Sequence, residues 1–591
     1  MSPKDSAGKK RQGKPKDYKY VYKRLWQYLS SHRLLLLLAL VLTVASGALG
    51  INGTALAGEA IGAIADGDEG RVYYHLLLMV IFYTLSTLSA YVLSVIMIYI
   101  SHKMSEKMRT DVYNKLVNLP VSFFDNKQTG EIVSTVTYDV NTVNESLSTD
   151  FMQVISSLVT VVYSFLLMLF VSPILILVFV ITIPLSLLFT RYISRRVRPL
   201  FRKRSAALAD MNGYVEEMIK GHKTIKIYGR EEAVISGFEE KNEAARYAYT
   251  VAEANGTVTG PTVNLINNLS LSLVNIFGAI LYMGGLGLSL TGLSQFVLLS
   301  RKFSGPINQI ANIYADIQSS LAASERVFHL IDEKEEPADS PTASELVLSS
   351  GRVELSDVCF GYSADIPVLK NLSLVAEPGS VTAIVGATGA GKTTVINLLM
   401  RFYDIDNGRI LIDGQDVYGV KRDSLRSAFT MVLQDTWLFC GTVYENIAYG
   451  NNDVSREDVE RVCREAKIHN FVMSLPEGYD TVLSEYAQNI SKGQKQLLTI
   501  ARAMLNDSGI LILDEATSNV DSKTERDISD AMIRLMENKT TFIIAHRLST
   551  VARADKIIVV KDGNVVEMGT HRELLSRNGY YLELYRSQFE V

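Results

Sequence analysis

Gly386 to Thr393 reads G-A-T-G-A-G-K-T and follows the apolar, β-branched run Val381 to Val385. This order predicts a buried strand, a phosphate-binding turn and a helix that begins near Lys392. Glycines allow consecutive backbone N–H groups of the turn to point inward, and the helix N-terminus adds partial positive charge. A glycine-rich turn of an unrelated α/β fold is the alternative, so the interpretation depends on further motifs.

The loop predicts a site for a nucleotide and Mg²⁺. Lys392 would reach the β and γ phosphates, and Thr393 would ligate the metal ion. The predicted nucleotide contacts of this stretch are Gly386, Ala387, Thr388, Gly389, Ala390, Gly391, Lys392, Thr393 and Thr394.

The chain is too long for one hydrophobic core, since it has 591 residues,. Its net charge of -4 gives no support to nucleic-acid binding, which calls for a basic domain or stripe,. Apolar runs of membrane-spanning length, about 20 residues each, occur only in the first half. We predict six spans, at Leu34 to Ala63, Tyr73 to Ser101, Phe151 to Val171, Pro173 to Ile193, Val263 to Leu290 and Leu293 to about Ile317.

Basic residues set the expected orientation of these spans. The basic N-terminus and the Lys/Arg-rich stretch 194–226 are predicted to face the cytoplasm, which leaves the C-terminal half there as well,. Tyr18 to Leu29 alternates aromatic and basic residues and predicts an amphipathic helix along the headgroup plane. The long inner connections, 102–150 and 194–262, predict helices that continue beyond the bilayer and are joined by short transverse turns, the first near Phe123 and Phe124.

The predicted fold is therefore an all-α transmembrane domain of six helices followed by an α/β nucleotide-binding domain of the P-loop type. Its predicted parts are a basic tail (1–17), the transmembrane domain (18–330), a Pro/Ser-rich linker (331–350) and the nucleotide-binding domain (351–591). Arg301 and Lys302 fall near mid-bilayer in the sixth span, where charge is costly. They are candidates for contact with an acidic transported molecule, and a structural pairing with another helix is the alternative.

Two further strands of the second domain end in polar residues. Ile510 to Leu513 precedes Asp514 and Glu515, which would hold Mg²⁺ through water and polarise the attacking water,. Ile543 to Ala545 precedes His546, which is placed to reach the γ phosphate.

Residues 18 to 591 resemble an ATP-binding cassette (ABC) exporter of the six-helix half-transporter kind. The resemblance implies that Tyr362 stacks on adenine and that Gln434 senses Mg²⁺ and the attacking water. It also implies a coupling acid at Glu485, an interface loop at Ser518 to Asp521, and a switch histidine at His546. Glu515, His546 and Gln434 are thus the expected catalytic residues, and Thr393, Gln434 and Asp514 the expected metal ligands.

The family signature L-S-G-G-Q reads Ile490-Ser491-Lys492-Gly493-Gln494 here. Ser491, Gly493 and Gln494 are expected nucleotide contacts across a dimer of two cassettes. Lys492 replaces a glycine, which favours one subunit of a heterodimer with one weakened site, and a homodimer that tolerates Lys492 is the alternative.

The implied function is ATP-driven export across the plasma membrane by inward-to-outward alternating access, with a cytoplasmic nucleotide-binding domain. The substrate is a small molecule, lipid or peptide. A regulatory or sensor subunit and an importer with an exporter fold are the alternatives, whereas six spans argue against a soluble P-loop enzyme.

Overall fold

The structure, a computed structural model, describes residues 17–285, 287–363, 366–434, 436–451, 453–483, 489–506, 508–514, 521–544 and 551–589. These residues form two compact units. The first contains the chain up to Leu119 and Lys127–Glu333, and the second contains Pro120–Asn126 and the chain from Lys334 onward.

Helices make up the first half of the chain. In chain order they are α1 (Tyr18–Leu29), α2 (Arg33–Asp66), α3 (Glu69–Val117), α4 (Val121–Asn126), α5 (Thr129–Ser134), α6 (Val140–Glu145), α7 (Phe151–Val171), α8 (Pro173–Lys220), α9 (His222–Tyr228), α10 (Glu231–Gly256), α11 (Thr259–Met283) and α12 (Leu290–Ile331). Two π-helical stretches, Thr135–Asp139 and Ser146–Asp150, lie on either side of α6.

Five helical stretches of the described residues are long and apolar enough to cross a membrane: Tyr18–Ala65, Glu69–Val117, Thr129–Val171, Pro173–Lys220 and Glu231–Met283. They contain the first four predicted spans and most of the fifth, which ends at Met283 rather than at Leu290. The sixth predicted span lies in α12, a continuous 42-residue helix that is not among those five. At 1.5 Å per residue α12 is about 63 Å long, about twice the thickness of the hydrocarbon core. Helices α3 and α8, which run into the predicted inner connections, have 49 and 48 residues and are likewise longer than the hydrocarbon core is thick, so the connections are helical there,.

One face of α1 packs on protein, and the headgroup position of this helix stays a prediction. Val21, Leu25 and Tyr28 are buried. The Tyr28 ring stacks on Phe328 of α12 at 5.7 Å, and its hydroxyl donates to Asp111 of α3 at 2.6 Å. The apolar side of an amphipathic helix is satisfied equally well by lipid or by protein, so the sequence pattern did not decide between them.

The second unit contains two main sheets. Their strands are β1 (Val353–Phe360), β2 (Leu369–Ala376), β3 (Val381–Val385), β4 (Asn407–Ile412), β5 (Gln415–Asp416), β6 (Phe429–Val432), β9 (Ile510–Asp514), β10 (Thr540–Ile544), β11 (Lys556–Lys561) and β12 (Asn564–Gly569), with a small pair β7 (Gly441–Thr442) and β8 (Val482–Leu483). One sheet has the order β2-β1-β4-β5 and is antiparallel. The other has the order β12-β11-β3-β10-β9-β6 and is parallel except for β12.

Helices accompany this sheet, as expected for an α/β domain. They are α13 (Lys392–Leu399), α14 (Arg422–Ser427), α15 (Val443–Ile447), α16 (Arg456–Glu465), α17 (His469–Met473), α18 (Lys492–Leu505), α19 (Ser522–Met536), α20 (His571–Ser576) and α21 (Tyr580–Phe589). Strand β9 is buried along Ile510 to Leu513, as the continuous apolar run predicted,.

The predicted linker is extended but attached to the second unit. Glu336 pairs with Arg426, and Asp339 accepts from Arg422 at 2.8 Å. The Asp413 carboxylate accepts backbone N–H groups from residues 349 to 352. These hydrogen bonds lower the pKa of Asp413 and keep its carboxylate charged,.

Candidate nucleotide-binding site

The turn between β3 and α13 is shaped by glycines at positions where a side chain has no room. A Cβ on Gly386 would lie 2.3 Å from the Val560 carbonyl oxygen of β11. Gly391 has φ of 103° and forms the N-cap of α13, and a Cβ there would lie 2.7 Å from Leu369. The residues between them, Ala387 to Gly389, are exposed. The turn therefore presents its backbone to solvent at a helix N-terminus, an arrangement suited to phosphate.

Lys392 is held under this turn. Its ammonium donates to the carbonyl oxygens of Gly386 at 2.9 Å and Ala387 at 3.0 Å, and the residue is 7% exposed. Burial lowers the pKa of Lys392, while the Asp514 carboxylate acts to raise it. A partly desolvated ammonium beside a carboxylate gains strongly from an anionic ligand, because nearby negative charge favours its charged form.

The parallel sheet brings the other predicted groups to the same edge. Ile544 at the end of β10 is paired with Ile384 of β3 on one side and with Asp514 of β9 on the other. Val432, which ends β6, pairs with Leu513 of β9. Gln434 follows β6 and is exposed. The carboxyl ends of these strands thus lie side by side with the phosphate loop, which is where ligands bind in open α/β sheets.

Two predicted catalytic residues lie outside the described residues. Glu515 follows β9 directly and His546 follows β10, so the strands that carry them end at this edge. Glu485 and residues 518–520 of the interface loop also lie outside the described part of the chain, whereas Asp521 caps α19 by accepting from Lys523 and Thr524.

Tyr362 lies beside the helix that follows the phosphate loop. Its hydroxyl is 3.1 Å from the Thr394 hydroxyl and accepts from Asn397 at 3.4 Å. The residue is 52% exposed, and its ring contacts Phe360 edge to face at 5.0 Å. A partly exposed aromatic ring fixed next to α13 is suited to stacking on a flat base.

The signature stretch begins α18. Ser491 caps the helix by accepting from the Gln494 N–H at 3.3 Å, and the Gln494 side chain accepts from the Ser491 N–H at 3.0 Å. Lys492 is exposed in the first turn, and Gly493 is buried. An exposed lysine in the first turn of α18 is therefore compatible with the fold of the single chain.

The thiols are free and in different environments: Cys463 is buried, Cys359 is half-buried and Cys440 is exposed. Within the described residues, His, Cys, Asp and Glu side chains form no cluster of three or more that would hold a metal ion by themselves. A hydroxyl and single carboxylate with a nucleotide phosphate is nevertheless the usual way that Mg²⁺ is held.

Comparison with known proteins agrees with this arrangement. Residues 36–307 match the model of the ABC transporter transmembrane region, and residues 369–518 match the ABC transporter model. The chain is 41% identical to an uncharacterized ABC transporter ATP-binding protein, YfiC, of Bacillus subtilis over 99% of this chain and 96% of that protein. This chain is an ABC transporter.

Other relatives of this ABC transporter have described substrates. A fatty acid ABC transporter ATP-binding/permease protein of Mycobacterium bovis is 45% identical over 81% of this chain and 76% of that protein. The ATP-dependent lipid A-core flippase of Escherichia coli K12 is 34% identical over 85% and 86%. The structure of a bacterial Atm1-family ABC exporter with ATP bound matches with a TM-score of 0.73 and 28% identity, over 97% of this chain and 99% of that chain.

The ABC transporter is therefore a membrane-bound exporter. Its second unit binds ATP, and the hydrolysis of ATP is coupled to transport. Exporters of this family work as dimers in the membrane.

Sequence reasoning located the phosphate loop but missed Tyr403, which contacts both Tyr362 and α4. Its hydrogen-bond partner lies 278 positions away, so no local pattern pointed to it.

Proposed function

We propose that this chain is one half of a dimeric exporter that moves an amphiphile with an acidic group across the cell membrane at the expense of ATP·Mg²⁺. The observation that supports the ATP reaction best is the meeting of the phosphate loop, Gln434 and Asp514 at one edge of the parallel sheet. The residues proposed below to contact the phosphates, Mg²⁺ and the attacking water lie at that edge or follow a strand that ends there.

Lys392 and the N–H groups at the start of α13 bind the phosphates, because the first turn of a helix has donors without an intrahelical partner. The residues that would hold Mg²⁺ are Thr393, whose side chain is exposed, Asp514 and Gln434. When bound, Mg²⁺ offsets charge that develops on the transferred phosphoryl group. The Tyr362 ring stacks on adenine.

Glu515 orients and deprotonates the attacking water, with His546 and Gln434 placed to contact the γ phosphate or that water. We expect Glu515→Gln to lower ATP turnover by about 100-fold or more while ATP binding stays intact. Vanadate-sensitive ATPase assays and equilibrium binding of a fluorescent ATP analogue measure the two quantities. Near-normal turnover in this variant would exclude Glu515 as the base.

The acidic group is proposed from Arg301 and Lys302. Both side chains are exposed on α12 within the predicted sixth span, and charges at that depth usually face a wet cavity or a partner,. The described relatives move a fatty acid and lipid A-core, and a fatty acid carries its single charge on a carboxylate. An exposed pair of cations within a membrane helix fits such a head group.

Transport of a long-chain fatty acid and of its uncharged methyl ester by proteoliposomes tests this assignment. We expect Arg301→Gln with Lys302→Gln to abolish transport of the acid and its stimulation of ATPase activity. Lys220→Gln, which removes an exposed cation at the end of α8, is the matched control. Equal transport of acid and ester by the unmodified protein would contradict the acidic-group proposal without affecting ATP-driven export.

We also propose a heterodimer with one weakened ATP site. Lys492 is exposed at the start of α18, so a bulky cation stands where the family has glycine and where a partner cassette would bring its nucleotide. The purified chain alone is then expected to hydrolyse ATP poorly and to recover with a second, different half-transporter. Full activity of a homodimer would exclude this assembly.

A further inference from the structure

Tyr403 connects the adenine side of the nucleotide site to a helix from the first half of the chain. Its ring contacts the Tyr362 ring edge to face, with centroids 5.1 Å apart and planes at 89°. Its hydroxyl donates to the Asp125 carboxylate of α4 at 2.5 Å. One side chain therefore touches both the predicted base-stacking residue and the short helix.

The helix α4 lies in the second unit although it is encoded among the transmembrane helices. Pro120–Asn126 is the segment of the first half that groups with the second unit. Phe123 is only 9% exposed and packs edge to face against Phe124 at 5.4 Å. Phe123 on α4 is therefore shielded from solvent, whereas Asp125 lies at the exposed end of the helix, where it accepts from Tyr403.

The Tyr403–Asp125 bond is a directional contact between a neutral donor and a charged acceptor. Burial, together with the bond to Asp125, raises the pKa of Tyr403, so its hydroxyl keeps its proton. Hydrogen bonds to a carboxylate are shorter and about twice as strong as neutral ones. Asp125 is exposed, so water can solvate its carboxylate without this bond. The bond therefore orients α4 relative to Tyr403 and does not compensate for a buried charge.

The residue that follows α4 is also fixed. Lys127, the first residue of the chain after α4 in the first unit, pairs with Glu333 at 3.3 Å. Glu333 is the last residue of the first unit before the chain passes to the second. This ion pair joins the residue after α4 to a residue two positions beyond the end of α12.

We infer that Tyr403 is a positioning residue that links adenine bound beside Tyr362 to the orientation of α4, and so couples ATP binding to the membrane helices. The inference rests on the proposed function. Stacking of a base on Tyr362 restrains that ring, and the edge-to-face contact restrains Tyr403 in turn. Loss of the Tyr403 hydroxyl should then leave the chemistry at the phosphates unchanged but disconnect it from transport.

The test uses Tyr403→Phe, which keeps the ring and removes the hydroxyl, in the assembled transporter in proteoliposomes. Tyr444→Phe is the matched control, because Tyr444 also donates a hydrogen bond, to the Val454 carbonyl oxygen at 2.8 Å. We expect Tyr403→Phe to keep ATPase activity within about twofold while transport per ATP falls by about fivefold or more. Asp125→Asn should resemble it, and the double variant should be no worse than either single one, because both remove the same contact.

Hydrogen exchange of the α4 peptide gives a readout that does not need transport. In the unmodified protein ATP should change exchange at residues 121–126, tripolyphosphate should not, and Tyr403→Phe should abolish the ATP effect. Equal ATP effects in both proteins, or a parallel loss of hydrolysis and transport in Tyr403→Phe, would overturn the inference. Absence of ATP-driven transport in the unmodified protein would instead refute the proposed function, while the exchange result would still decide the role of Tyr403.

Discussion

The ion pair between Arg326 and Asp139 offers the sharpest test of how the extended helices of the first unit are held together. Arg326 of α12 donates through Nε and Nη2 to the two carboxylate oxygens of Asp139, at 2.9 and 2.7 Å. The Asp139 side chain is 7% exposed and that of Arg326 is 34% exposed. The pair is therefore asymmetric, because only the guanidinium has access to water.

This asymmetry sets the expected magnitudes. Arg326→Met leaves a buried carboxylate without its guanidinium, and we expect a loss of about 3 kcal/mol, the lower end for a broken buried pair because one partner is partly exposed. Asp139→Ala leaves a guanidinium whose long stem reaches water, so the loss should be about 1 to 2 kcal/mol. The arginine variant should accordingly be the less stable of the two.

Thermal unfolding of the detergent-solubilised protein measures which of the two variants is less stable. Unfolding is monitored as the loss of the monodisperse peak in size-exclusion chromatography. The two variants should differ by a few degrees. Lys220→Met, which breaks an exposed pair with Glu216, is the control and should leave the midpoint unchanged,. Exchanging the two residues in one double variant should restore part of the stability. An Asp139→Ala protein as unstable as Arg326→Met would refute the argument from burial.

Three further predictions concern the nucleotide site. Gly386→Ala should weaken ATP binding by about tenfold or more, because the new Cβ meets the rigid Val560 carbonyl,. An unchanged ATP affinity in a calorimetric titration would contradict the proposal that the turn between β3 and α13 binds the phosphates. Since burial lowers the pKa of Lys392 and phosphate favours its charged form, ATP affinity should fall as pH rises through that pKa, with proton uptake on binding,. Calorimetry at alkaline pH in two buffers of different ionisation heat measures the uptake, which Lys392→Met should remove. Lys492→Gly should raise ATPase activity of the assembled dimer by about twofold or more, and an unchanged rate would argue against a site weakened by the lysine.

Much of the second unit was predicted correctly because the sequence patterns that specify its strands, turns and helices involve residues close together in the chain. The strand Val381–Val385, the turn and the helix starting at Lys392 have the bounds that the motif indicated. The convergence of Asp514 with the phosphate loop was expected because parallel strands share their carboxyl edge. The roles of Tyr362 and Gln434 stay predictions, and the structure adds the neighbours of Tyr362, which are Thr394, Asn397 and Phe360.

The sequence by itself determined the order of the parts, the apolar spans and the chemistry of the phosphate loop, since each depends on residues that are close in the chain. Only the tertiary structure decided that α1 packs on α12, that α4 joins the second unit, and that Asp139 meets Arg326. The reason is physical: these contacts join residues far apart in sequence, so no local pattern of apolar or charged residues specifies the partner.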